Sequence, residues 1–149
     1  MDVKNIATNR KASHEYFFFD KFEAGIVLQG SEIKSIRAGQ ISLNEAYVRV
    51  ERGEAWLMDA HVAPYTLAHQ FNHAPRRPRK LLLHQSEIRQ LENDVRQKGV
   101  TVVPLRVYIK EGKAKVEIAI AKGKKLYDKR QVIAKRDAER DLERSIRIR

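Results

Sequence analysis

The sequence has no cysteine among its 149 residues, which excludes a disulfide framework and thiolate-bound metal and fits a cytoplasmic address. It has no apolar run approaching the roughly 20 residues that a membrane span needs. The opening Met1-Asp2-Val3-Lys4-Asn5-Ile6-Ala7 lacks the apolar core of a signal peptide. No Asp/Glu cluster has the spacing of a two-metal nuclease site, and general acid–base chemistry needs groups that converge on one cleft. Gly123 between Lys122 and Lys124 lacks the preceding glycine frame of a phosphate-binding loop. His69 and His73 stand at metal-ligand spacing on a helix, but in a proline-flanked stretch without a Cys or acid to complete a site. His14, His61 and His84 are scattered. The chain therefore reads as a non-enzyme without metal or cofactor.

What is abundant is positive charge. Lys and Arg number 30 against 19 Asp and Glu, a net charge of +11. From Lys122 to Arg149, eleven cations face five acids, so an excess of six sits on the last 28 residues. A cationic concentration of this kind suits a polyanion, because neutralising phosphates releases condensed counterions. The length suits one domain with a real core. Residues 1–127 are expected to form a packed body and residues 128–149 a basic tail.

Along the body, Thr8 to His14 is polar and without periodicity, an irregular arm. Glu15–Phe19 and Glu23–Leu28 are rich in aromatic and β-branched residues and read as a hairpin around Asp20-Lys21-Phe22. Of Phe17, Phe18 and Phe19, at least one ring must leave the core face, since successive strand side chains point oppositely; it either stacks on a base or packs under a helix. Ser31 as N-cap and Gly39 as a left-handed terminator bound a short helix, with Ile33 and Ile36 inward and Lys34 and Arg37 outward. A second hairpin turns at Glu51 to Glu54, placing Ala46, Val48 and Val50 on one face and Trp56, Met58, Ala60 and Val62 on another.

Pro64 to Lys80, with three prolines and the cations Arg76, Arg77, Arg79 and Lys80, reads as an exposed basic loop. A helix starts at Ser86, runs through Ile88, Leu91 and Val95, and closes at Gly99. A third hairpin, Val100–Ile109 with Lys113–Ala121, carries Pro104 inside its first strand, which points to an edge or a bulge. Val116, Ile118 and Ile120 alternate with Lys115, Glu117 and Ala119. Six strands in three hairpins with no βαβ alternation predict a mainly β fold, a small six-stranded antiparallel barrel of the oligonucleotide-binding (OB) type with two or three short helices.

In the tail, Ala134, Ala138, Leu142 and Ile146 recur at i, i+4, as do Arg136, Arg140 and Arg144. Its ion pairs, each worth about a few tenths of a kcal/mol, do not offset helix nucleation. The tail is expected to be disordered alone and helical on a polyanion. In the body, Glu23 and Glu32 stand out among the acids because each sits beside a glycine, where backbone can approach a ligand.

Five ordered segments carry a family resemblance: Asn9-Arg10-Lys11-Ala12 with His14-Glu15-Tyr16; Phe22-Glu23-Ala24-Gly25; Leu28-Gln29-Gly30 with Glu32-Ile33-Lys34-Ser35 and Arg37-Ala38-Gly39; Arg79-Lys80-Leu81-Leu82-Leu83; and Ala121-Lys122-Gly123-Lys124-Lys125 with Asp128-Lys129-Arg130. With them the chain resembles the SsrA-binding proteins (small protein B), partners of transfer-messenger RNA in bacterial ribosome rescue. The resemblance implies an OB-type barrel that grips the tRNA-like part of that RNA. It implies an RNA-binding set on the body of Asn9, Arg10, Lys11, His14, Glu23, Gly30, Glu32, Lys34, Arg37, Lys80, Leu82, Lys122, Lys124 and Lys125. Cations would hold phosphates, Asn9 and Glu23 would hydrogen-bond ribose or base edges, and Leu82 would lie against an unstacked base.

By the same likeness the tail, through Asp128, Lys129, Arg130, Lys135, Arg136, Arg140 and Arg144, would enter the vacant mRNA channel of a stalled ribosome and contact rRNA of the decoding centre. Ala138 follows Arg136-Asp137 where many relatives carry an aromatic. EF-Tu and alanyl-tRNA synthetase would be indirect partners of a monomeric, membrane-free adaptor. The competing readings are a structural ribosomal or rRNA-binding protein and, third, a nuclease.

Overall fold

The computed structural model describes residues 3–65 and 72–124. Among these, the elements run β1 (Val3–Thr8), α1 (Arg10–Glu15), β2 (Tyr16–Ile26), α2 (Gly30–Arg37), β3 (Ile41–Ser42), β4 (Tyr47–Glu51), β5 (Glu54–Met58), β6 (His61–Val62), β7 (Arg79–Leu82), α3 (Gln85–Lys98), β8 (Thr101–Lys110) and β9 (Lys113–Gly123). Strands β8, β4, β5, β7, β2 and β9 pair in that order, and β9 pairs again with β8. Six antiparallel strands thus close on themselves, the expected mainly β, OB-like barrel. Closure leaves the ring without a free edge. Outside it, β1 pairs with β8 beyond the stretch that meets β4, and β3 pairs with β6.

The ring is assembled differently from three hairpins. Instead of turning at Asp20-Lys21-Phe22, β2 continues as one 11-residue strand along β9, with a register shift between Phe18 and Lys21. That bulge keeps Asp20 and Lys21 in solvent while Phe22 and Ala24 return to the core. The missing sixth strand is β7, which begins in the last two residues of the stretch read as a basic loop and runs on through Leu82. Its Arg79 is buried and its Leu81 fills the interior.

The inward row of β5 is Ala55 and Leu57, whereas Trp56 and Met58 are half-buried on the other side. Asp59, at φ 58°, reverses the phase, and Ala60 and Val62 face the core again. A strict period of two fails here because one residue occupies the left-handed region, which turns the chain over.

The expected arm at Thr8 to His14 is in fact the end of β1 followed by α1. Asn9 starts that helix: its side-chain oxygen accepts from the Ala12 N–H at 3.1 Å, and its amide donates to the Pro104 carbonyl at 2.9 Å. The Pro104 carbonyl is available because β8 is bulged between Pro104 and Arg106, the irregularity its proline announces. Helix α1 lies on the outside of the barrel over Val103, Leu105, Ala119 and Ala121, with Ala12, Tyr16 and Phe18 completing this second cluster. Strand β9 is therefore buried on both faces, Val116, Ile118 and Ile120 inward and small alanines under the helix.

Two helix starts shift from expectation. Gln29, not Ser31, caps α2 and exchanges capping-box bonds with Glu32, while Ser31 turns inward to His73. His84, not Ser86, caps α3 with Glu87 as its partner. The ends fall as read, with Gly39 and Gly99 at positive φ. Of the two isoleucines expected inward on α2, Ile36 is fully buried and Ile33 half-buried.

Candidate nucleic-acid interface

The body residues singled out in the sequence fall in three places. The first is the end of the barrel where β9 stops. Helix α1 buries Ala12 and so presents Arg10, Lys11 and His14 to solvent. Beside it β9 delivers Lys122, and the Lys124 ammonium donates to the Ser13 carbonyl at 3.0 Å and lies 5.5 Å from the Phe17 ring centre. A hollow of about 390 Å³ opens between His14, Tyr16, Gly123 and Lys124. Lys11 bonds Glu45 at 3.1 Å, and this partner raises its pKa above the usual lysine value. Cations on a helix and on a strand end thus share one surface of the scale of a phosphate backbone. Asn9 does not join them. It is buried, both ends of its amide are occupied, and its role is to hold α1 to the β8 bulge.

The second place is a groove of about 590 Å³ that includes Glu23, Gly25, Lys80, Leu82 and Lys115 in its walls. Leu82 is 56% exposed, a large apolar side chain offered to solvent. It stands opposite Gly25 in the β2–β7 ladder, and a Cβ on Gly25 would come 3.4 Å from the Leu82 side chain. The glycine leaves the flank of Leu82 open. Lys80 is paired with Glu54 at 2.9 Å.

Glu23 is exposed but tethered. The Tyr108 hydroxyl donates to its Oε2, and the Lys110 ammonium lies 3.4 Å from each oxygen. The Tyr108 bond, against the opposing effect of burial and with help from Lys110 and Lys115, holds the carboxyl below the usual glutamate range. Burial, followed by the same bond, pushes the Tyr108 phenol well above its ordinary value. Sequence reading passed over Tyr108. Its signal was there, since it is out of phase with the inward Val107 and Ile109 and so is an aromatic on the outer face between Arg106 and Lys110.

The third place is α2. Gly30, Lys34 and Arg37 are exposed, with Lys34 5.7 Å from the Tyr65 ring centre and Arg37 donating to the Gly112 carbonyl at 3.1 Å. Gly112 is in the turn that begins β9, whereas Lys122 is at its other end. About ten residues of strand, roughly 33 Å, separate them, so the α2 cations form a separate face. Glu32 is corrected outright. It is fully buried, and its carboxylate is spent on Arg77 and Arg79, each at 2.5 Å, and on the Gln29 N–H at 2.8 Å. Burial acts to raise its pKa, and these donors outweigh it and hold the carboxyl below the usual range. A side chain so placed does not reach a ligand.

Both ring nitrogens of His73 are engaged, one with the Ser31 hydroxyl at 2.8 Å and one with the Val62 carbonyl at 2.9 Å. His69, four positions before it, lies outside the described residues, as do Lys125 and the tail set Asp128, Lys129, Arg130, Lys135, Arg136, Arg140 and Arg144. Among the described residues no cluster of three or more His, Asp or Glu is placed to hold a metal ion, and no helix is long and apolar enough to cross a membrane. Of the three consecutive phenylalanines, Phe17 and Phe18 are half-buried and Phe19 is 47% exposed.

The family model described as SmpB protein matches residues 6–148. An SsrA-binding protein of Desulforudis audaxviator is 56% identical over 97% of this chain and 94% of its own. One from Carboxydothermus hydrogenoformans is 52% identical over 98% of each chain. A solved chain described as "tmRNA-SmpB: a journey to the center of the bacterial ribosome" is similar with a TM-score of 0.68 at 45% identity, covering 80% of this chain and 85% of that one.

Proposed function

The chain belongs to the SmpB protein family, and from that premise we propose that it is an RNA-binding adaptor. It binds the tRNA-like domain of transfer-messenger RNA and delivers it to stalled ribosomes for trans-translation. The observation that carries the reading is the likeness to SsrA-binding proteins over nearly the whole chain. The geometry supports it with a cationic barrel end at Arg10, Lys11, Lys122 and Lys124 and a groove in which exposed Leu82 stands near Glu23.

In this proposal the body, residues 1–127, holds one RNA, and the basic tail, residues 128–149, folds as a helix in the empty mRNA channel against rRNA of the decoding centre. The body contacts run through Arg10, Lys11, His14, Lys122, Lys124 and Lys125 to phosphates and through Glu23, Lys80 and Leu82 to sugar and base. The cations of α2 serve a second face. The protein works as a cytoplasmic monomer and catalyses nothing itself; EF-Tu and alanyl-tRNA synthetase act on the RNA it carries.

A filter-binding comparison of transfer-messenger RNA with ordinary tRNA tests the first half, and clear preference for the former is expected. Deleting 128–149 tests the second: RNA binding persists while tagging on stalled ribosomes fails. Equal loss of both removes the division of labour. Stoichiometric co-purification with every ribosomal subunit would favour a structural ribosomal protein instead.

A further inference from the structure

Tyr108 occupies an unusual position for an outer-face aromatic: it is only 3% exposed, yet its hydroxyl reaches an exposed carboxylate. Across the barrel wall, Leu82 stands opposite Gly25, Gly25 opposite Lys115, and Lys115 opposite Tyr108, one row over β7, β2, β9 and β8. In the neighbouring row Glu23 stands directly opposite Glu117, and Glu117 opposite Arg106. Two like charges facing each other across a ladder repel. Here the conflict is resolved around one phenol. Arg106 stacks on the Tyr108 ring at 4.4 Å and takes Glu117 at 3.5 Å, while Glu23 receives the Tyr108 hydroxyl and the Lys110 ammonium.

We propose that Tyr108 is a positioning residue for RNA recognition: its hydroxyl sets the direction of the Glu23 carboxylate so that the free acceptor sites of Glu23 face the groove beside Leu82 and take a hydrogen-bond donor of the RNA. The proposal deepens the adaptor reading and rests on it. An ionised carboxylate accepts and never donates, so the group it selects is a ribose 2′-hydroxyl or an N–H of a base. An exposed glutamate on a strand face otherwise samples several rotamers, and ordering it on binding opposes association. Tyr108 removes that cost in advance, since its own ring is immobilised by packing under Arg106. The lowered proton affinity of Glu23 agrees with this arrangement. The charged groups that surround it are Lys110 of β8, Lys115 and Glu117 of β9 and Lys80 of β7.

The test is a double-mutant cycle on the full chain, read as affinity for the isolated tRNA-like domain of transfer-messenger RNA. Tyr108→Phe deletes only the hydroxyl and is expected to weaken binding roughly 5- to 10-fold, within the cost of ordering one side chain at an interface. Glu23→Gln weakens it at least as much, and the double variant is no weaker than Glu23→Gln alone. Wild-type affinity for Tyr108→Phe, or for Glu23→Gln, overturns the proposal, as does an undiminished Tyr108→Phe penalty in the Glu23→Gln background. Failure of the wild type to prefer this RNA over tRNA strikes the adaptor reading itself, a distinguishable result. Should Tyr108→Phe fail to fold, carboxyl-carbon NMR of the wild type keeps the question open to refutation: Glu23 titrates below the other exposed glutamates and shifts on adding the RNA, and an ordinary titration overturns the role of the hydroxyl. A 2′-deoxy scan of the probe tells the two donor sources apart; loss at a position in the wild type that vanishes in Glu23→Gln identifies ribose, and its absence identifies the base.

Discussion

Glu32 and Arg79 are both fully buried and meet as carboxylate and guanidinium at 2.5 Å. The other two guanidinium nitrogens of Arg79 donate to the carbonyls of Ala60, at 3.0 Å, and Pro75, at 3.1 Å. One ion pair therefore fastens α2, the link from β5 to β6 and the approach to β7 to each other. A buried pair of this kind gains its Coulomb energy only against a large desolvation cost, so it specifies the arrangement more surely than it stabilises it.

Removing one partner is another matter. Glu32→Gln leaves a buried guanidinium without a counter-charge and is expected to lower the unfolding free energy by about 3–5 kcal/mol, measured by urea denaturation. RNA affinity per folded molecule stays at the wild-type level. A loss of affinity in protein shown to be folded would restore Glu32 as a contact.

The same pair makes stability sensitive to acid. Folding depresses the Glu32 pKa, so its contribution is fully present above the unfolded glutamate value, near 4.3, and is lost as pH falls through the lower folded value. Melting temperatures of wild type and Glu32→Gln should differ most near neutrality and converge in acid below that range. Glu23, also depressed but exposed, adds little to this trend.

Arg10→Ala and Lys124→Ala each delete one exposed or half-exposed cation from the α1 end. Each is expected to weaken RNA binding and to reduce the salt slope by about one phosphate, read from filter binding at several salt concentrations. An unchanged slope would place these cations off the RNA path.

Leu82→Ala is expected to behave oppositely, weakening RNA binding with the salt slope unchanged, because an apolar contact releases no counterions. Since Leu82 is 56% exposed, the melting temperature should hardly move. A large fall in melting temperature would show instead that the side chain supports the barrel.

Much of this architecture was legible residue by residue. Gly39 and Gly99 ended their helices, the Glu111-Gly112 turn joined β8 to β9, and Pro104 announced a bulge. Each depends on neighbours within a few positions. The failures share the opposite property. Asp20-Lys21 looked like a turn because nothing local reveals that β9 runs alongside and keeps the strand extended. Trp56 and Met58 seemed to share a face with Ala60 and Val62 because a single left-handed residue, Asp59, is invisible to a periodicity count. Of the residues that the family resemblance named, the fold presents Arg10, Lys11, Lys122 and Lys124 at one end of the barrel and buries Asn9 and Glu32, while Tyr108 was passed over.

By itself the order of residues determined the β-rich class, the helix ends at Gly39 and Gly99, the last two hairpin turns and the cationic character of the chain, since propensity, alternation and charge are properties of short stretches. The folded arrangement alone decided which charges meet water. Glu32 is silenced by arginines 45 and 47 positions away, and Glu23 is aimed by a tyrosine 85 positions away. Whether a carboxylate is an internal tie or a reader of ligands depends on its solvation and its partners, and both are supplied by distant strands that only barrel closure brings within a few ångströms.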